Sequence, residues 1–148
     1  MDFAQIYLTH ERLRMEEAVG FASLPSTGAV ATFSGVTRTP GHAGKPVASL
    51  EFEAYGPMAE SSLRSIAGEA TNKFQLSRVV IAHRLGVVPL GETSLMIAVS
   101  SPHRLDALNA LPWIVDSVKA RAAIWKKEVY SDSSPHYWVN SCCAPYTK

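Results

Sequence analysis

Five basic side chains near one predicted helix are placed as a site for a negatively charged ligand would require. His103 and Arg104 stand where the helix begins, and Lys119, Lys126 and Lys127 lie at its end or beyond it. Because a helix N-terminus carries partial positive charge, cations there cost a few tenths of a kcal/mol up to about 1 kcal/mol. An anion would remove that cost and bind the free backbone N–H groups. The pattern predicts a small anionic substrate, although solvated surface cations would also produce it.

An apolar residue adjoins the lysines at the far end and would change their chemistry. Trp125 precedes Lys126 and Lys127. Burial lowers the pKa of a lysine, and a second ammonium group in the same pocket lowers it further. A lysine with a lowered pKa can donate a proton near neutral pH. The segment favours lysine chemistry, beside the plainer alternative that Lys119 and Lys127 are ordinary surface residues.

Other residues that could do chemistry are better explained by structure. Glu51 and Glu53 alternate along a predicted strand, which favours one solvated face over a catalytic carboxylate pair. His83 follows an apolar strand, which favours packing or an interface over a ligand role. Cys142 and Cys143 are adjacent near the C-terminus, which favours a surface tail over sulfur chemistry. No metal site is expected, because the other histidines lack metal-ligand spacing: His10, His42, His103 and His136.

Composition limits the class of protein. The 148 residues are 47% hydrophobic and 18% charged with a formal net charge of +1, which predicts one globular domain over residues 1–148. Nucleic-acid binding would need a basic excess, so no nucleic-acid partner is expected. We also expect no signal peptide and no membrane span, because no apolar run has the length of one. Adjacent cysteines form no useful disulfide loop, so the chain is predicted to be cytoplasmic.

Hydrophobic periodicity predicts an α/β (α+β) chain with a sheet and helices in two layers. The predicted elements are a strand Ala4–His10, a helix Glu11–Leu24, strands Ala29–Arg38 and Val47–Tyr55, a helix from Gly56, a strand Val79–Arg84, a short excursion Leu85–Gly91, a strand Thr93–Ser100, the central helix to Lys119 and a last strand around Ile124–Glu128.

The central helix carries its own start signal and one conflict. Ser101 is predicted to cap the free N–H groups, and Pro102 fits a first turn. The predicted buried face is Leu108, Leu111, Val115 and Val118. Pro112 removes one helical hydrogen bond, which predicts a kink or break around Ala107–Leu111.

Six segments together resemble the large subunit of molybdopterin synthase, in that family's order and over roughly residues 5 to 140. They are ATFSGVTR (31–38), LEFEAY (50–55), HRLGVVPLGE (83–92), SSPHR (100–104), VKAR (118–121) and IWKKE (124–128). The resemblance implies a hammerhead-like α/β sheet with a smaller antiparallel subdomain. It also implies conversion of cyclic pyranopterin monophosphate into molybdopterin by the addition of two sulfurs. The sulfur would come from the thiocarboxylated C-terminal Gly-Gly of a small ubiquitin-like subunit, without metal or cofactor, in a heterotetramer built on a homodimer of large subunits.

The resemblance also implies roles for residues at matching positions. Lys119 would lie closest to the reacting carbons, and Lys126 would assist it and counter negative charge. The substrate-binding residues would be Val36, Thr37, Arg38, His103, Arg104, Lys127 and Glu128. The tail departs from the family pattern, because Asn140–Cys143 has no basic residue that could reach a neighbouring subunit's pocket.

Two further classes of function remain open. The first is a non-catalytic anion-binding scaffold for a ubiquitin-like partner, which would have little reason to keep both Lys119 and Lys126. The second is an enzyme that forms a Schiff base through a lysine, which borohydride would trap with a carbonyl substrate.

Overall fold

The computed structural model describes residues 2–139 of the chain. In this part, eight strands and three α-helices alternate along the sequence. They are β1 Ala4–Thr9, α1 Met15–Ala22, β2 Ala29–Val36, β3 Val47–Ala54, α2 Gly56–Phe74, β4 Arg78–Arg84, β5 Gly86–Pro89, β6 Thr93–Ser101, α3 Arg104–Arg121, β7 Ile124–Tyr130 and β8 Tyr137–Val139, with a short 3-10 turn at His42–Gly44 between β2 and β3.

The strands form two four-stranded sheets. The first has the order β1-β4-β6-β2 and is mixed, because β1 runs parallel to β4 while the other pairs are antiparallel. The second has the order β5-β3-β7-β8 and is antiparallel throughout. The predicted fold class and the smaller antiparallel subdomain are therefore confirmed.

Helices cover both faces of the first sheet. On one face α1 buries Ala18 and Ala22 against β4 and β6. On the other face α2 and α3 share a core with the inner side of the second sheet. Because β6 is covered on both sides, its residues from Ser94 to Ser101 are all buried. The first sheet is therefore the middle of three layers, with helices on both of its faces, whereas the periodicity predicts two layers.

The helix α3 begins later than its sequence signal and buries a different face. His103 is the N-cap, so Pro102 precedes the helix, while Ser101 Oγ accepts the Ala107 N–H at 3.1 Å. The buried residues are Ala107, Ala110, Ile114 and Val118. Leu108 of the predicted face is 54% exposed instead, while Leu111 and Val115 are partly buried at the edge of the core. Alanines on the buried face allow α3 to lie close to α2 and the sheet.

Of the kink or break predicted around Ala107–Leu111, the break is wrong, since α3 runs without interruption past Pro112. Proline removes the hydrogen bond to the carbonyl four residues earlier, here that of Leu108. Both Pro112 and Leu108 are exposed, so water can satisfy that carbonyl. Lys119 therefore lies in the last turn of the same continuous helix that begins at Arg104.

Three other boundaries differ from the prediction. The helix α1 starts at Met15 rather than Glu11, and the excursion Leu85–Gly91 contains the strand β5. The strand β2 ends at Val36, which leaves Arg38 two residues beyond it. Cys142 and Cys143 lie outside the described residues. Within residues 2–139, no helix combines the length and the hydropathy that a membrane span requires.

Candidate functional site

A cavity of about 390 Å³ opens where the end of α3 meets both sheets. Apolar side chains form one part of its wall and include Phe33, Leu50, Phe52, Leu95, Val118 and Ile124. Its charged lining groups are Arg38, Lys119, Lys126 and Glu128. The cavity therefore combines an apolar wall with three cations and one carboxylate, as expected of a site for an anionic substrate.

Two adjacent elements bring the lysines into this cavity. Lys119 follows the buried Val118 in the last turn of α3, and the chain re-enters the core at Ile124 to form β7. Side chains alternate along a strand, so Ile124, Lys126 and Glu128 face the cavity. Lys126 lies directly opposite Phe52 of β3. The predicted pairing of Lys119 with Lys126 in one pocket is present in a single chain.

The cavity perturbs the proton affinity of Lys126. Burial is the largest cause that lowers the pKa of Lys126, followed by the charge of Lys119 and, more weakly, that of Arg38. The Glu128 carboxylate opposes this change by favouring the ammonium form. Because the net direction is downward, Lys126 gives up a proton more readily than an exposed lysine would. Lys126 is thus suited to donate a proton in the site.

Glu128 holds the loop that forms one wall of the cavity. Its Oε1 accepts the His42 N–H at 2.9 Å and the Tyr130 hydroxyl at 2.7 Å. Burial, followed by the bond to Glu128, raises the pKa of Tyr130 to about 12, so this hydroxyl remains a donor. A Cβ on Gly41 would lie 2.5 Å from Glu128 Oε2. Glycine is therefore required where the loop passes the carboxylate.

This loop carries part of the predicted anion site. Arg38 lines the cavity, and its Nη1 donates to the Pro40 carbonyl at 3.2 Å. Val36 also lines the cavity and is 49% exposed at its rim. Thr37 is buried and is not among the residues that line the cavity, and its backbone N–H donates to the Glu92 carbonyl at 3.0 Å. Thr37 Oγ1 is buried and has no hydrogen-bond partner among the described residues.

Three predicted site residues lie elsewhere in a single chain. His103 and Arg104 are exposed at the opposite end of α3, and 15 residues of helix at 1.5 Å each put Arg104 about 22 Å from Lys119. Lys127 points to the other face of β7, where its Nζ lies 2.8 Å from Glu51 Oε2. The same ammonium group lies 5.4 Å from the centre of the Trp138 ring. None of these three lines the cavity.

The cavity contains one titratable residue that the sequence reasoning assigned to packing. His83 is buried near the end of β4, lines the cavity, and places Nδ1 2.7 Å from the Arg84 carbonyl oxygen. Burial lowers the pKa of His83 to about 4, aided by the charge of Lys126 and opposed by the bond to Arg84. Strand alternation is the sequence signal that could have identified His83, because His83 lies on the same face of β4 as the core residues Val79 and Ile81.

Two other possible sites carry less chemistry. A wider groove of about 630 Å³ runs along β1, but its charges are mixed and it contains no lysine. Within residues 2–139, no three His, Cys, Asp or Glu side chains are grouped so that they could hold a metal ion. The lysine cavity is therefore the candidate site.

Comparison with known proteins gives the family. Residues 8–121 match the model of the family described as MoaE protein. The molybdopterin synthase catalytic subunit of Bos taurus is 43% identical over 138 residues, which cover 93% of this chain and 72% of that protein. The Arabidopsis thaliana catalytic subunit is 49% identical over 114 residues, which cover 77% and 57%. The crystal structure of molybdopterin synthase from Staphylococcus aureus is similar with a TM-score of 0.83 at 35% identity, covering 89% of this chain and 94% of that one. The chain therefore belongs to the MoaE family and has the function of a molybdopterin synthase catalytic subunit, an enzyme of molybdenum cofactor biosynthesis.

Proposed function

We propose that the lysine cavity is the active site in which sulfur is transferred to cyclic pyranopterin monophosphate. The observation that carries the proposal is the pair Lys119 and Lys126 in one cavity, with the pKa of Lys126 lowered by burial and by its neighbour. Sulfur would arrive as the thiocarboxylate at the C-terminal Gly-Gly of a small ubiquitin-like subunit. The sulfur comes from the partner in this scheme, so neither tail cysteine is needed.

The chain's own residues have separable roles in this scheme. Lys119, Lys126 and Arg38 counter the negative charge of the phosphate and of the incoming thiocarboxylate. Lys119 lies closest to the reacting carbons and donates a proton where charge develops on the substrate, and Lys126 assists it as a second donor with a lowered pKa. The apolar wall formed by Phe33, Phe52 and their neighbours limits water, which strengthens these electrostatic interactions.

The proposed assembly is a homodimer of this chain that binds two small subunits. A Helicobacter pylori structure described as a complex of subunits 1 and 2 of molybdopterin-converting factor has a chain of the same fold, with a TM-score of 0.69 at 20% identity. The distance of about 22 Å along α3 supports the dimer, because His103 and Arg104 can reach an anion in a lysine cavity only from a second copy. Leu105 beside them is 66% exposed, which provides an apolar contact surface.

The decisive experiment is the synthesis of molybdopterin from purified components, at neutral pH and in a reducing buffer that resembles the cytoplasm. The parent chain with a thiocarboxylated small subunit should form the dithiolene, and the chain with sulfide alone should not. Dithiolene made without the partner would show that the sulfur source is wrong.

The same assay tests whether the lysine cavity is the active site. If it is, Lys126→Ala should lower the rate while the complex with the small subunit still forms in gel filtration. If the cavity only binds anions away from the active site, neither Lys119→Ala nor Lys126→Ala would change the yield of dithiolene.

A further inference from the structure

His83 is placed to contact whatever occupies the lysine cavity. It lies opposite Leu95 of β6, and Leu95 lies opposite Gly35 of β2, so the three residues form a row across the first sheet. All three line the cavity. The His83 ring also packs edge-on against Phe52, with ring centres 4.7 Å apart, and Phe52 is the cross-strand neighbour of Lys126. His83 thus belongs to the same cavity wall as the lysines although it comes from the other sheet.

The hydrogen bond to Arg84 determines which ring nitrogen faces a ligand. A carbonyl oxygen can only accept, so Nδ1 at 2.7 Å from the Arg84 oxygen must carry the proton. Nε2 then has a free lone pair in the neutral ring. Nε2 has no hydrogen-bond partner among residues 2–139. Burial and the nearby Lys126 charge keep the ring neutral at physiological pH, since they lower its pKa to about 4.

This lone pair complements the other polar groups of the cavity. Arg38, Lys119 and Lys126 are donors only, so they suit the anionic groups of a ligand. Glu128 accepts from His42 and Tyr130 through Oε1, and its Oε2 is a second acceptor of the cavity. The Ser94 hydroxyl donates to the Gly35 carbonyl at 3.3 Å. A ligand that presents an N–H or O–H group to the wall formed by His83, Leu95 and Gly35 meets the Nε2 lone pair of His83.

We propose that His83 is a substrate-binding residue whose Nε2 accepts a hydrogen bond from an uncharged N–H or O–H group of the substrate. The inference rests on the proposed function, because it takes cyclic pyranopterin monophosphate as that substrate. This molecule carries ring N–H donors as well as a phosphate. The cations bind the phosphate in this scheme, and His83 distinguishes a pterin-bearing phosphate from a simple one.

Two substitutions separate the two ring nitrogens. His83→Asn keeps a donor near the Nδ1 position, which can still reach the Arg84 carbonyl, but it lacks an acceptor at the Nε2 position. His83→Gln is longer and can place its amide oxygen near the Nε2 position. His136→Asn is the matched control, because His136 is exposed in the turn between β7 and β8.

The test is calorimetric titration of the complex with the small subunit, using cyclic pyranopterin monophosphate and inorganic phosphate as separate ligands. Loss of one hydrogen bond that leaves a donor unpaired should weaken pterin binding about tenfold in His83→Asn. His83→Gln should recover most of that loss, and phosphate affinity should be unchanged in both variants. The control should bind both ligands as the parent does.

Three results would overturn the inference. Parent-like pterin binding by His83→Asn would mean that Nε2 makes no contact. An equal loss for phosphate and pterin, or a lower unfolding temperature in both variants, would mean that the role is structural. Failure of the parent itself to bind the pterin would overturn the proposed function as well, and is thereby distinguished from failure of the variants alone.

Discussion

Replacement of Lys126 with methionine should stabilise the fold and nearly abolish activity. Lys126 lies opposite Phe52 in the cavity, close to the charges of Lys119 and Arg38. Burial and these two cations hold its pKa below the ordinary 10.5, and only Glu128 opposes them. The unfolded chain therefore binds this proton more tightly than the folded chain does, so holding the ammonium group in the cavity costs folding free energy. Methionine has a similar length and no charge.

The expected magnitudes follow from these neighbours. Removal of an unfavourably placed charge commonly raises the free energy of unfolding by about 0.5–2 kcal/mol, which for a chain of this size raises Tm by about 2–4 °C per kcal/mol. The rate of dithiolene formation should fall by a factor of about 10² to 10⁴, the usual contribution of a positioned proton donor. The assays are thermal unfolding at several pH values and the reconstituted synthesis reaction.

The pH dependence makes the test specific. The cost of the ammonium group is complete below the lowered pKa of Lys126 and disappears as the pH rises from there to 10.5, so the advantage of the methionine variant should shrink over that range. Lys73→Met is the control, because Lys73 is exposed on α2 and should give no stability gain. An unfolding temperature for Lys126→Met at or below that of the parent at pH 7 would refute the reasoning, since the ammonium group would then be a net stabiliser.

Three further outcomes are expected. Lys119→Arg should lose most of its activity in the same assay because arginine does not release a proton at neutral pH; near-parental turnover would mean that charge alone suffices there. The double substitution Cys142→Ser with Cys143→Ser should leave the rate within a hundredfold of the parent's, and a larger loss would make the cysteines participants. Gly41→Ala should lower both stability, by about 1–3 kcal/mol on chemical denaturation, and activity, since its Cβ would lie 2.6 Å from Glu128 Oε1 and force the loop away. Unchanged denaturation of this variant would show that the loop has room to move.

Strand alternation explains which side chains of β7 reach the cavity. The residues Ile124, Lys126 and Glu128 alternate with Trp125 and Lys127, and the structure places the first three at the cavity. The resemblance implied that Lys127 belongs to the same pocket. Its position one residue after Lys126 puts its side chain on the opposite face of β7, where it pairs with Glu51. The same alternation could have placed His83 on the inner face of β4. The sequence of one strand does not reveal that a second sheet covers that face.

The central helix shows why packing could not be predicted from amphipathicity alone. Large apolar side chains at helical spacing favoured Leu108 as a core residue, whereas the structure buries Ala107 and Ala110 instead. Small residues allow α3 to approach α2 and the sheet closely. Because α2 and the strands are distant from α3 in sequence, the pattern of α3 alone does not predict how close they come. The leucines Leu105 and Leu108 are left exposed beside Arg104. They are the surface on which the proposed homodimer can bury apolar area.

Some of the predicted site residues meet in one cavity of a single chain, and others lie far from that cavity. Lys126, Lys119 and His83 come from a helix and two sheets of the same chain, so their geometry is determined by the core. His103 and Arg104 share α3 with Lys119, yet a regular helix keeps them about 22 Å apart. In the proposed dimer, a second copy brings His103 and Arg104 to the lysine cavity. We therefore expect proton transfer to depend on the fold of the single chain, and the contribution of His103 and Arg104 to phosphate binding to depend on the dimer.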